Sequence, residues 1–489
     1  MGSLYIGSSG LQTSQNALNT TAHNLSNVDT TGYTRQQVQQ SNRAYVTLST
    51  DPKSISNKQT GLGVTYSRVK QVRDYFLDKT YRKESGRSMF YEVSTEVMEE
   101  VESQLGELNG EAFQTTMTDF WTAIQELSKD PSSSVTQGLI VQRANEFVQR
   151  AGAVYDGLSS YQNNLNTQIK QNVDKINKYG NQLLTLNDQI RAIESGGIEH
   201  ANDLRDARNQ ILDELAELTN MTFSEDRYGS VSVQIEGVDF VKDGTCYEIA
   251  LKTDEATGFY TPFWPQDATY TVRADGTRDY NIDGAEVFDL SVEISSDLNT
   301  DIGGLKAMLL ARGDHRANYT DLAEGKYDSV SQSVVMNIQG EFDQMIHNVV
   351  TKVNDILAKA AGVQTGDLKL ADGVTTLKNV KYCAVEPGGY MRMDDGSPIQ
   401  LFTKVTTDGY RKVTGEDGKD YWVMNEEDPD SPESLYTIGN LQVNPALTKE
   451  PSKLGFRLAD GSEDKETADA LKAAFTEEAY TLNPNVQKK

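Results

Sequence analysis

The chain has 489 residues, more than one ordinary domain accommodates, and 46 Lys plus Arg stand against 72 Asp plus Glu for a net charge of −26. A surface that acidic repels nucleic-acid phosphates and anionic lipid, so neither is an expected partner. Two cysteines, Cys246 and Cys383, cannot form a disulfide framework or a thiolate metal cage, and without an 18-residue apolar run no membrane span is expected.

Residues 1–34 hold no Lys or Arg and no continuous apolar core, so they do not read as a cleavable secretion signal. Met1-Gly2 fails as an acylation motif because Ile6 stands where Ser or Thr is required. The chain is expected either to stay in the cytoplasm or to leave by a route that keeps its N-terminus intact. Leu4, Leu11, Leu18 and Leu25 lie seven residues apart among small and polar residues such as Ser8, Ser14, Asn16 and Thr20. On a helix they form one narrow stripe, the geometry of a coiled-coil seam. Ser, Thr, Asn and Gly are poor helix formers, so this helix is expected to consolidate when a partner covers it. An ordinary N-terminal core helix has the same period, and period does not separate the two readings.

Only Pro52 and Pro131 precede Pro262, while seven of the eleven prolines lie from Pro387 onward. The front can therefore hold long helices and the back is built from short strands and turns. A helix over about 93–127 would bury Val97, Val101, Leu105, Leu108, Phe113, Phe120 and Ile124. The longest helical signal runs over about 147–193, with Ile169, Ile176, Leu183 and Ile190 every seven residues. Further helices are expected over 204–218, with Ile211, Leu212, Leu215 and Leu218, and over about 330–361, with Val334, Ile338, Phe342, Ile346, Val350, Val353 and Leu357. Between these two the period changes to alternation at Val231, Val233 and Ile235. Other strand candidates lie at 247–251, 270–272 and 287–294, separated by Asp-Gly turns at Asp243, Asp275 and Asp283. The same grammar resumes after Gly362, and a short helix is expected near 467–475.

Chemistry-bearing motifs are weak. His23, His200, His315 and His347 have no metal-site spacing, and Glu199-His200 reads as a solvated loop. Asp279, Asn281, Asp283 and Gly284 match the first half of a calcium loop, but its twelfth position is Leu290, so a hairpin turn explains them better. Gly61-Leu-Gly63 would need its third nucleotide-binding glycine at Tyr66. No catalytic, cofactor-binding or metal-ligating residues are assigned, no cofactor is expected, and the chain does not read as an enzyme.

The segment from Leu18 through Asn24-Leu25-Ser26-Asn27-Val28-Asp29-Thr30-Thr31-Gly32-Tyr33 resembles the N-terminal signature of flagellar rod, hook and hook-associated proteins. Asn27, Asp29 and Thr31 can bond nearby backbone and end the helix, Gly32 supplies a positive φ, and Tyr33 begins an extended segment. The continuation to Gln36 resembles the flagellar hook-associated protein 1 family in particular. So do Gly61-Leu-Gly63-Val64, Arg73-Asp-Tyr75-Phe76, 113–121, Asp130-Pro131, 204–212 and 435–445, which occur in the family's order.

The resemblance implies a multidomain α+β fold: an N-terminal coiled-coil-forming helix, an elongated helical bundle with β-hairpins and an outer antiparallel β domain. The expected divisions are an axial assembly segment at 1–60, a long-helix bundle at 61–220 and a β-hairpin region at 221–300. A returning helix at 301–362, an outer β-rich domain at 363–440 and a return segment at 441–489 complete them. It implies a structural subunit joining hook to filament, with an assembly interface formed by Leu4, Leu11, Leu18, Leu25, Asn24, Asn27, Gly32 and Tyr33. Implied partners are hook protein, hook-associated protein 3, a ring of further copies and an export chaperone, and the implied location is the extracellular flagellum, reached by flagellar export. Alternatives are another axial protein, such as the hook or distal rod subunit, and a secreted hydrolase or metal-binding module in the β region. Family members end in a second helix that pairs with the N-terminal one. This sequence stops at Asn483–Lys489, so the N-terminal helix is expected to have nothing of its own to pack against, and the chaperone-binding region belongs to the part not present.

Overall fold

A computed structural model describes residues 2–49, 58–106, 113–196, 200–323, 325–387, 389–458, 460–476 and 481–483. Helix α1 spans Gly2–Ser26 and is followed by strands β1 (Gln36–Asn42), β2 (Val46–Ser49), β3 (Lys58–Thr60) and β4 (Val64–Gln71). β1 pairs antiparallel with β4, and β2 with β3. Four helices come next: α2 (Tyr75–Leu105), α3 (Phe113–Lys129), α4 (Ser134–Glu194) and α5 (Asn202–Leu218). A four-stranded meander then forms from β5 (Met221–Glu225), β6 (Val231–Ile235), β7 (Val238–Lys242) and β8 (Thr245–Cys246). Two hairpins follow, β9 (Ala250–Thr253) with β10 (Tyr260–Phe263) and β11 (Thr269–Val272) with β12 (Arg278–Asn281). Helices α6 (Gly304–Arg312), α7 (Tyr327–Val330) and α8 (Val334–Ala360) lead into β13 (Gln364–Lys369), β14 (Thr376–Ala384), β15 (Phe402–Lys404), β16 (Tyr410–Thr414) and β17 (Asp420–Met424). β18 (Leu441–Val443), α9 (Pro445–Lys449) and α10 (Lys465–Thr476) complete the described elements. The fold is multidomain α+β, as expected.

The chain forms two compact units, one from residues 1–94 with 166–309 and the other from 95–165 with 310–489. In the first, the heptad stripe of α4 is buried at Ile169, Val173, Ile176, Tyr179 and Leu183. It packs with Leu212 and Leu215 of α5 and with Val231, Val233 and Ile235, whose alternating burial places one face of the meander on the helices. In the second, α3, α4 and α8 meet around aromatic rings. Phe120 and Phe147 stack at 5.5 Å, Phe113 and Phe342 meet edge-on at 5.0 Å, and Trp121 stacks with Phe475 of α10 at 5.9 Å. Antiparallel sheet β13-β14-β17-β16 belongs to this unit.

Several expectations need correction. The helix expected over 93–127 is two helices: α2 ends at Leu105, where Gly106 adopts φ +75°, and α3 begins at Phe113. Leu108 lies outside the described residues, as do Glu199 and 484–489. The long helix begins at Ser134, not near 147, and buries Ile140, Val141, Ala144 and Phe147 on the way. In α8 the first buried residues are Val335 and Met336, with Val334 and Ile338 less covered. No strand forms over 287–294. Asp289 Oδ1 instead accepts from the Ser291 N–H at 2.9 Å, and this local turn competes with a ladder. Of the candidate at 247–251 only residues 250–251 are strand, at the start of β9, and 247–249 link β8 to it.

Candidate functional site

The two faces of α1 differ in chemistry and in what covers them. On one face Ser9 and Thr13 are buried against the β1–β4 hairpin. Ser9 Oγ donates to Ile6 O at 2.7 Å and accepts from Val64 N–H at 3.3 Å, while Thr13 Oγ1 donates to Ser9 O at 2.8 Å. Gly63 sits at the contact with φ +85°, and a Cβ there would lie 3.3 Å from Ile6 Cα and collide with Ser9 Oγ. Small residues thus let helix and hairpin close on each other. On the other face Leu4, Leu11, Leu18 and Leu25 are 81, 73, 68 and 74% exposed. The expectation that nothing in the chain packs on α1 is corrected for the first face, while the leucine stripe lies open.

At the end of α1 the polar residues of the signature form a clamp. Asn24 Oδ1 accepts from Tyr33 Oη–H at 2.8 Å and from Gln36 N–H at 2.9 Å, and its Nδ2 donates to Gln36 O at 2.8 Å. One side chain thereby ties the helix end to the first residue of β1. Asn27 Nδ2 donates to His23 O at 3.0 Å and its Oδ1 accepts from Thr30 Oγ1–H at 3.2 Å, which closes the helix. Gly32 makes the turn at φ +80° with the Gln210 side chain close to where a Cβ would point. The Tyr33 ring meets His23 edge-on at 5.6 Å. Burial and the nearby Asp206 and Asp203 carboxylates raise the Tyr33 phenol above its ordinary range, keeping it a donor.

The clamp is anchored on α5. Asp206 Oδ2 accepts from Thr34 N–H at 3.2 Å and its Oδ1 from Gln71 Nε2 at 2.8 Å. Arg73 pairs with Asp78 at 2.5 Å, and buried Arg82 pairs with Asp213 of α5 at 2.7 Å. Between α1 and β1 lies a groove of about 640 Å³, where Leu25 and Val28 face Val38 beside Asn24 and Tyr33. The structure therefore brings Asn24, Asn27, Gly32 and Tyr33 together and sets Leu25 at the groove. Leu4, Leu11 and Leu18 stand along the open stripe. Ser9, Thr13, Gly63 and Asp206 are not among the expected site residues. Gly63 and Asp206 do lie in segments that resemble the family, 61–64 and 204–212, which is the signal the sequence carries for them.

The other polar residues have structural partners. Asp279 pairs with Arg273 at 3.0 Å within the β11–β12 hairpin, and Asn281 Oδ1 accepts the Asp283 N–H at 3.1 Å in the turn that follows β12, so the half calcium loop is a strand end and a turn, not the expected hairpin turn. His347 Nε2 lies 2.8 Å from Glu427 Oε2, His315 sits between Asp314 and Asp321, and His200 is 3.6 Å from Glu194. Among the described residues no three His, Cys, Asp or Glu are grouped to hold a metal ion.

Long helices following a flagellar-type N-terminal helix point to an axial-protein class, and comparison with known proteins agrees. Residues 98–369, more than half of the chain, match the family model described as Flagellar hook-associated protein FlgK helical domain, and residues 4–34 match the model for Flagella basal body rod protein. The chain belongs to the flagellar hook-associated protein FlgK family. Flagellar hook-associated protein 1 of Bacillus subtilis (strain 168) is 28% identical over 265 residues, covering 51% of this chain and 52% of that protein. The Escherichia coli (strain K12) protein of the same name is 27% identical over 250 residues, covering 51% and 44%. The chain spans about half the length of the curated relatives it matches. A solved structure of the flagellar hook junction protein FlgK from Burkholderia pseudomallei aligns over 78% of this chain and 66% of its own, with TM-score 0.45 and 14% identity.

Proposed function

We propose that this chain is a structural subunit of the hook–filament junction of the bacterial flagellum, assembling through α1. The observation that carries the reading is a helix fixed on one face by its own hairpin while four leucines at heptad spacing face outward. Each leucine gains about 1.5–3 kcal/mol on full burial, a gain the stripe collects only from a partner helix. The Asn24–Tyr33 clamp sets the direction in which that helix leaves the body, so Asn24, Asn27, Gly32 and Tyr33 are positioning residues of the interface. Partners of this reading are hook protein, hook-associated protein 3, further copies of the chain and an export chaperone, with passage through the flagellar export channel to the cell exterior. Family membership supports a structural role, and no catalytic role is assigned.

The test is deletion of the gene followed by electron microscopy. Hooks without filaments and flagellin released as monomer are expected. Normal filaments on the deletion strain would sink the junction reading, and labelled protein decorating the whole hook instead of one band would favour the hook subunit.

A further inference from the structure

The exposed start of α2 is a second surface left uncovered by the described residues, separate from the leucine stripe. Phe76, Leu77 and Tyr81 are 73, 64 and 60% exposed, an unusual concentration of apolar area on one short stretch of helix. On a helix Phe76, Lys79 and Lys83 share one face by their i, i+3, i+7 spacing. Both lysines are exposed and have no ion pair among the described residues.

The end of the same helix carries the opposite charge. Glu96, Glu99 and Glu102 are exposed without an ion pair among the described residues, and Met98 beside them is 56% exposed. This order of charge opposes the helix macrodipole, which favours cations at the C-terminus; the last turn has no basic residue. Helix stability therefore does not account for the acidic end. The segregation extends to the whole chain: residues 1–91 contain eleven Lys and Arg against five Asp and Glu, leaving 35 against 67 for the rest.

We infer that the Phe76–Lys79–Lys83 surface docks a second copy of this chain through that copy's Met98–Glu99–Glu102 surface. Charge complementarity selects this occupant, since each copy carries one cationic and one anionic patch, each with its own apolar anchor. The two patches differ, so the contact is head-to-tail and propagates from copy to copy into a ring or helical array. It rests on the reading that copies of this chain assemble with one another, and it names a lateral contact that α1 does not supply. Rim charges of this kind steer and register a contact, so the association is salt-sensitive.

The test is sedimentation velocity of the full chain over a concentration series at low and high salt. Association of the wild type should weaken as salt rises. The K79E/K83E and E99K/E102K chains should each associate roughly tenfold or more weakly, and an equimolar mixture of the two should recover association through the re-paired charges. Because all four residues are exposed, unchanged melting temperatures will show that the variants fold. A wild type that remains monomeric at its highest soluble concentration overturns the proposal. So does association that survives both reversals, or one that the mixture fails to restore, and so does binding of the lysine patch to a different acidic protein with no self-association. Association lost on replacing Leu11 and Leu18 but indifferent to α2 charge would overturn this contact and leave the junction reading standing. Normal filaments in the deletion strain would do the reverse.

Discussion

Replacing Leu11 and Leu18 by Ala separates an assembly stripe from a core stripe by energy. Each substitution removes three carbon atoms, and at about 0.8 kcal/mol per buried methylene the loss is about 2 kcal/mol per residue wherever the side chain is covered. In the isolated chain the two leucines are 73 and 68% exposed, so little of that is at stake, and Ala is a better helix former than Leu. The purified variant should therefore melt within the scatter expected of surface changes, about 0.5 kcal/mol. On the proposed reading both side chains are covered in the assembled state, and the combined loss of about 4–5 kcal/mol corresponds to roughly a thousandfold weaker contact. Thermal denaturation of the purified protein measures the first quantity. Complementation of a deletion strain, with filaments counted by electron microscopy, reports the second. A loss of more than about 2 kcal/mol in the isolated chain would refute the reasoning, because the leucines would then be core residues. Filaments formed in normal number by the variant would refute it from the other side.

Asn24→Ala leaves Tyr33 Oη and both backbone groups of Gln36 without their partner, costing about 1–3 kcal/mol locally. Faster amide exchange across 24–36 with little change in exchange of the α4 core would show it, and uniform exchange would not. Arg208 is 2% exposed, donates to Gly229 O and Asn187 Oδ1 and lies 3.4 Å from Glu225, so Arg208→Ala, which leaves those acceptors unpaired, should destabilise the first unit by about 1–3 kcal/mol in denaturant unfolding. Lysine cannot reproduce that donor set, and an Arg208→Lys chain as stable as wild type would contradict the assignment. His315 is pushed up to about 10 by its hydrogen bonds to Asp314 and Asp321. Its folded value lies above its unfolded value, so its stabilisation is fully present below about pH 6.5 and fades as pH rises toward 10. The melting-temperature advantage of wild type over His315→Gln should shrink between pH 6.5 and 10, and a constant difference across that window would remove the ion pair from the account.

The parts of the fold that announce themselves in the sequence are those where one side chain type repeats on a buried face. Ile169, Ile176 and Leu183 mark α4, and Val231, Val233 and Ile235 mark β6, because burial demands apolar residues at the period of the backbone. Where burial is achieved with small or polar groups the period vanishes. The start of α4 is a different case: Ile140, Ala144 and Phe147 share one buried face, so the helical period itself extends back beyond the expected start near 147. The strand expected over 287–294 does not form because Val287 and Phe288 are buried without a ladder while the Asp289 carboxylate bonds its own turn. The assembly helix shows the limit most clearly. Its leucines have the same spacing whether they face a core or water, and the deciding residues lie on the other side, where Ser9, Thr13 and Gly63 admit a close hairpin through two hydroxyls and a missing Cβ. No hydrophobic pattern encodes that contact. Once it is in place the face holding the hairpin cannot also hold a partner helix, and the exposed leucine face is the one the proposed assembly uses.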